Sequence, residues 1–151
     1  MRFTVREMGP ADRDACAAMR AALWPDQTAE VLAKDLNVML GSGAAWGFIA
    51  ETAAGGPVGF AEIAVRPSAN GCDSRPVPFL EGIWVAPQFR RQGLGAQLMK
   101  HVEAFVTARG FCEIGSDALI DNHASHAAHR GWGFSETERV VYFRKVLDQG
   151  C

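Results

Sequence analysis

The run Arg90-Arg-Gln-Gly-Leu-Gly-Ala96 has the residue types and spacing to hold a phosphate. Glycines at 93 and 95 let the backbone turn tightly and aim successive N–H groups outward. A helix starting there adds the partial positive charge of its N-terminus, so a pyrophosphate can rest on peptide dipoles. Upstream, Glu81 lies in a hydrophobic stretch that reads as a central strand, where a carboxylate without a partner is costly. An acid in that position is hard to read as surface decoration.

The surrounding elements must position these groups. Phe79 to Val85 reads as a strand stopped by Ala86-Pro87, and Leu94, Leu98, Val102, Phe105 and Val106 repeat at helical spacing up to Arg109. Before this unit, Phe3 and Val5 mark a strand. Pro10 opens a helix that ends at Trp24-Pro25, and Thr28 caps a second helix that runs to Gly41. Trp46 to Glu51 and Val58 to Val65 form a hairpin around Gly55-Gly56-Pro57, with Asn70-Gly71 turning the loop beyond. After the motif helix come a short strand from Phe111 to Asp117, a short helix near Asn122 to Arg130 and a last strand from Thr137 to Val146, rich in β-branched and aromatic residues. The order implies α/β layers around a mixed sheet, in one domain spanning residues 1–151.

Composition narrows the function classes. With 151 residues, 48% hydrophobic and 21% charged, the chain can bury a sizeable core and is not disordered. A formal charge of −2 leaves no cationic surface for nucleic acid. The N-terminus lacks a secretion signal and no run approaches the roughly 18 apolar residues of a membrane span, so the expected location is cytoplasmic. Cys16, Cys72, Cys112 and Cys151 are scattered, which implies reduced thiols. Cys72 has no evident basic partner to make it a nucleophile. His123, His126 and His129 repeat every three residues, but no further residue completes a metal site with them. No metal is expected.

The strand, the R-x-x-G-x-G loop and the helix resemble the acetyl-CoA-binding motif of the GCN5-related N-acetyltransferases, the GNAT family. Asn122, Ser125 and Gly133-Phe134 fall at matching distances downstream. The resemblance implies a GNAT fold, whose central mixed, mostly antiparallel sheet has splayed fourth and fifth strands and is flanked by helices. It implies acetyl-CoA as cosubstrate, with pantetheine in the wedge against Ile83, Trp84 and Val85. The phosphates would lie on Arg90, Arg91, Gln92, Gly93, Leu94, Gly95 and Ala96, with Asn122 and His129 nearby. Many members carry at position 129 a tyrosine that protonates the CoA thiolate; here the residue is His129, able to donate a proton or to play a structural part.

A narrower resemblance covers nearly the full chain. Leu23-Trp-Pro25, Asn70-Gly-Cys-Asp73, Phe79-Leu-Glu-Gly82, Ser116-Asp117 and Thr137-Glu-Arg-Val140 are similar to one group of aminoglycoside 6′-N-acetyltransferases. It implies Trp24, Gln27, Asp73, Glu81, Asp117 and Glu138 as substrate ligands, and a homodimer. Period-2 alternation places Glu81 on the same strand face as Ile83. Asp117 is the preferred proton acceptor for the attacking amine, with Glu81 as second acid, and the Val85 N–H is the donor to the thioester oxygen. Alternatives are an acetyltransferase acting on a polyamine or peptide amine, or a non-catalytic acetyl-CoA-binding regulatory module. Residues 66–76 carry no aromatic side chain, so the substrate wall departs here from that of close relatives, which have a tyrosine in this loop.

Overall fold

A computed structural model describes residues 2–148. Four strands, β1 (Phe3–Glu7), β2 (Ala45–Thr52), β3 (Pro57–Arg66) and β4 (Val77–Val85), form an antiparallel sheet in that order. Helices α1 (Arg13–Leu23) and α2 (Ala29–Gly41) cover one face, α3 (Leu94–Ala108) covers the other, and α4 (His123–Gly131) follows. Thr28 caps α2 as its sequence predicts, its hydroxyl accepting the Val31 N–H at 3.2 Å.

Strand alternation separates two apolar clusters. Phe48, Ala61, Ile63 and Leu80 meet Leu94, Leu98, Met99 and Val102 of α3. Ile49 and Phe60 face the opposite way, against Cys16, Met19 and Leu36 of α1 and α2. Glu62 shares that second face and is fully buried, so its charge needs a partner. Arg20 of α1 supplies it. Its Nε and Nη2 donate to the Glu62 carboxylate at 2.7 and 2.8 Å, while Nη1 donates to the Leu32 carbonyl at 2.9 Å. One ion pair therefore fastens α1 and α2 to the middle of β3.

Beside this pair the ladder slips. Glu62 is opposite Gly82, but Ile63 is opposite Leu80, which leaves Glu81 as an extra residue in β4. This bulge corrects the alternation expected from sequence. Ile83, Val85 and Leu80 all pack on the α3 side, so Glu81 is turned to the other face, that of α1 and α2.

Two expected strands do not form. Residues 111–117 contribute one parallel bridge, Gly115 to Phe79, held by Leu80 N–H to Gly115 O at 2.8 Å and Gly115 N–H to Pro78 O at 2.9 Å. Thr137 to Val146 has strand composition but no strand to pair with, and its side chains are exposed, Phe143 by 91% and Val141 by 77%. β-Propensity describes a surface that fits a sheet; it does not provide the neighbour.

Removing one partner of a buried ion pair costs about 3–5 kcal/mol, because the other charge stays desolvated. Glu62→Leu is expected to lose that much stability in denaturant titration. The double variant Arg20→Met, Glu62→Leu should recover most of it.

Candidate active site

β4 ends at Val85, and Ala86-Pro87 turns the chain through a short 3₁₀ segment, Pro87–Phe89. Arg90 then folds back, its Nε donating to the Val85 carbonyl at 2.7 Å. Gly93 adopts φ +78°, a left-handed conformation that glycine takes without strain, and α3 starts at the next residue with no side-chain cap. The first helical acceptor is the Gly93 carbonyl, bonded by Gln97. Among the described residues nothing accepts from the backbone N–H groups of residues 91–96. These donors at a helix N-terminus make the turn an anion cradle.

The same strand offers a second row of polar groups. Ala86 N–H bonds the Val58 carbonyl, so the Gly59–Val85 pair is a non-hydrogen-bonded one and the Val85 N–H points away from β3. Ile83, two residues earlier, points the same way. Trp84 differs, because its polar backbone groups face Phe60 of β3 and its indole packs on the α1/α2 cluster. Beyond Leu80 this outer edge has no strand beside it, since the segment that bridges at Gly115 departs at Ser116 and Asp117. Among the described residues no backbone hydrogen bond joins residues 81–85 to that segment.

On the α1/α2 face a cavity of about 280 Å³ is lined by Trp24, Gln27, Asp35, Met39 and Glu81, among others. Trp24 is fixed where α1 ends: a side chain at Gly82 would collide with its indole, at 2.8 Å, and Arg20 lies against its ring. Trp24, Gln27 and Glu81 were legible in the sequence. Asp35, exposed on α2 at the border of this cavity, is not among the residues the sequence singles out; its place three residues after the buried Leu32 is the available signal. Glu81 is held by Arg66, whose Nε and Nη2 donate to its two oxygens at 2.8 and 2.6 Å. Glu81, and after it Asp117, hold the Arg66 guanidinium more firmly protonated than usual.

The remaining predicted residues are placed as follows. Asn122 caps α4, its Oδ1 accepting the Ser125 N–H at 3.1 Å. His129 has Nδ1 2.7 Å from the Ser125 carbonyl, which requires an N–H there, and Nε2 2.7 Å from the Ser116 hydroxyl. In the neutral ring Nε2 is then an acceptor, taking the Ser116 proton. The imidazole packs at a tilt against Trp132, whose indole closes over Gly95, so α4 buttresses the anion cradle. Asp73 lies in a loop pinned by Glu113, which accepts the N–H groups of Asp73 and Ser74 and is thereby held below the usual carboxylate range. The Asp73 side chain itself is exposed and lines neither cavity. Glu138 is exposed in the 137–146 segment and is not part of the Glu81 cavity. Cys72 has its thiol pushed up by burial and by Glu113 and Asp73, which disfavours the nucleophilic thiolate.

A larger hollow, about 490 Å³, is lined by Val106, Phe111, Ile114, Trp132 and Phe134, with Glu103 and Glu113 beside them.

Comparison with known proteins agrees with this geometry. The model of the Acetyltransferase (GNAT) family matches residues 16–134. An aminoglycoside N(6′)-acetyltransferase type 1 of Stenotrophomonas maltophilia is 43% identical over 146 residues, 96% of this chain and 94% of its own. One of Serratia marcescens is 43% identical over 135 residues, 89% of this chain and 92% of its own. The solved structure of AAC(6′)-Iy in complex with the bisubstrate analog CoA-S-monomethyl-acetylneamine superposes with a TM-score of 0.90 at 36% identity, covering 97% of this chain and all of that one. AAC(6′)-Ih from Acinetobacter baumannii gives 0.89 at 33% identity, covering 97% of this chain and 99% of that one. An anion cradle at the start of α3, an open β4 edge and full-length similarity to acetyltransferases agree, and the chain belongs to the GNAT family of acetyltransferases.

Proposed function

We propose that this protein transfers the acetyl group of acetyl-CoA to the 6′-amino group of an aminoglycoside, directly, in a ternary complex, and so confers resistance to the antibiotic. The observation that carries the reading is the meeting of two features in a chain with such relatives: an acid-bearing cavity walled by Trp24, and an open strand edge that leads to an anion cradle. The N–H groups of residues 91–96 take the pyrophosphate, and Ile83 and Val85 hold the pantetheine arm. Trp24 and Gln27 receive the amino sugar, with Glu81 and Asp117 drawing its ammonium groups. Asp73 and Glu138, exposed and outside the cavity lining, complete the set of acids in this reading.

The attacking amine must be neutral, since an ammonium has no lone pair. Asp117 takes its proton, directly or through water, and the nitrogen adds to the thioester carbonyl. The Val85 N–H faces the developing oxyanion, a fixed donor where charge appears. Collapse expels the CoA thiolate, and the second proton shed by the acylated nitrogen balances its charge; with a thiol pKa of about 8.5, as for cysteine, departure does not require a strong acid. The Ser116 hydroxyl, hydrogen-bonded to His129, is the nearest built proton path on the α4 side.

The protein works as a homodimer in this reading. Its support is the exposed 137–146 segment, strand-like in sequence, together with the unpaired outer edge of residues 111–117 and the apolar hollow of Phe111, Ile114, Trp132 and Phe134 beside it. A second copy's segment laid there would complete the sheet and cover the apolar side chains of both. Glu138 rides on this segment. A cytoplasmic location follows from the need for acetyl-CoA. It fits the free thiols at Cys16, Cys72 and Cys112 and the lack, among the described residues, of any helix long and apolar enough to cross a membrane.

Three experiments test these statements. Ala96→Glu puts an anion at an exposed first-turn position where it favours the helix but opposes phosphate. Melting temperature should hold while acetyl-CoA affinity falls at least about tenfold, or roughly 1.4 kcal/mol, by calorimetry. For the acceptor, kanamycin should gain one acetyl group, placed at the 6′ nitrogen by two-dimensional NMR. Turnover of spermidine or a lysine peptide in its place would assign a different amine, and acetyl-CoA binding without any transfer would leave a regulatory module. For the dimer, light scattering should give twice the 16.3 kDa chain mass. Phe143→Asp should shift it to the monomer.

A further inference from the structure

Arg66, at the end of β3, is a cation built into a site that must receive cations. Its fork takes both oxygens of Glu81, and its Cζ lies 3.6 Å from the centre of the Phe79 ring. Glu81 is the bulged residue of β4, with no opposite residue in the ladder to fix its backbone position, and its side chain is only partly buried. The guanidinium on the Phe79 ring is therefore what orients this carboxylate toward the Trp24 cavity.

The charge has a second consequence. An ammonium paired with a free carboxylate holds its proton more tightly, which works against a reaction that needs the neutral amine. A carboxylate already paired with a guanidinium can still accept a hydrogen bond from the ligand, but it exerts much less net pull on a proton. The cavity is lined by Glu81 of β4, Asp35 of α2 and Arg20 of α1, already matched by Glu62, while Asp117, after the Gly115 bridge, and Tyr142 of the C-terminal segment act on Arg66 through space. Arg66 cancels the acid that protrudes from the bulge and leaves Asp117 as the proton acceptor.

We propose that Arg66 is a positioning residue that clamps Glu81 and offsets its charge, so that the acceptor amine is oriented at Glu81 yet releases its proton to Asp117. This rests on the reading of the cavity as the site of the aminoglycoside amine. It assigns the two acids unequal parts, Glu81 as an oriented anchor and Asp117 as the base.

The test is the pH profile of kanamycin acetylation by the wild type, Arg66→Gln and Arg66→Lys, with acetyl-CoA affinity measured on each as a check of folding. In Arg66→Gln the acid limb of kcat should move up by about one pH unit, a tenfold loss on that limb that fades toward high pH, with KM for kanamycin unchanged or lower. Arg66→Lys, which keeps the charge and loses the fork, should restore the position of the limb but not the full kcat. An unshifted profile in Arg66→Gln, or a shift that Lys does not reverse, overturns the proposal; so does a rise in KM alone. Loss of acetyl-CoA affinity in both variants would also overturn it, making Arg66 a residue of the fold. Wild-type turnover of kanamycin reports separately on the acceptor: its absence removes the acceptor reading, and this proposal with it.

Discussion

The buried Arg20–Glu62 pair is the constraint on which the site depends. A carboxylate in the middle of a sheet is tolerable only with a matched cation, and that cation comes from α1 with its third donor spent on α2. The pair thus sets where both helices cross the sheet. Trp24 follows from it, because this residue caps α1 four positions after Arg20 and its indole settles over Gly82, directly across from Glu62. A side chain at 82 would push Trp24 away and close the cavity.

The bulge at Glu81 lies next to this point, and the two features depend on one another. Below the bulge β4 continues in register to Val77, and above it Ile83 and Val85 remain packed on α3. Only the intervening acid is re-aimed. A regular strand would bury Glu81 against α3, where no cation waits; the extra residue delivers it instead to Arg66 and to the cavity. The bend is a local loss of pairing that places one functional group.

The outer edge of β4 is the second design element. Backbone donors at Ile83 and Val85 are available because the sheet ends there, and the same incompleteness leaves residues 111–117 with one bridge. Exposed edges usually invite pairing with another chain. Here the edge is divided: its upper part leads to the anion cradle, and the segment beyond its lower part lies next to an apolar hollow while the C-terminal strand sequence projects into solvent.

The sequence alone determined whatever depends on local chemistry. Gly93 supplies the turn before α3, Thr28 caps α2, and helical spacing delimits α3 to within a residue, because these features involve neighbours in the chain. Resemblance to a known family also names Trp24, Gln27 and Glu81, and these three line one cavity. What only the tertiary structure decided involves partners far apart in sequence. Arg20 with Glu62 and Arg66 with Glu81 are pairings that no spacing rule announces. The bulge follows from fitting β3 to β4, so the face of Glu81 could not be read from period-2 alternation. The segment 137–146 has the composition of a strand, yet strand formation requires hydrogen-bonding partners on a neighbouring segment, and the described residues of this chain do not supply them.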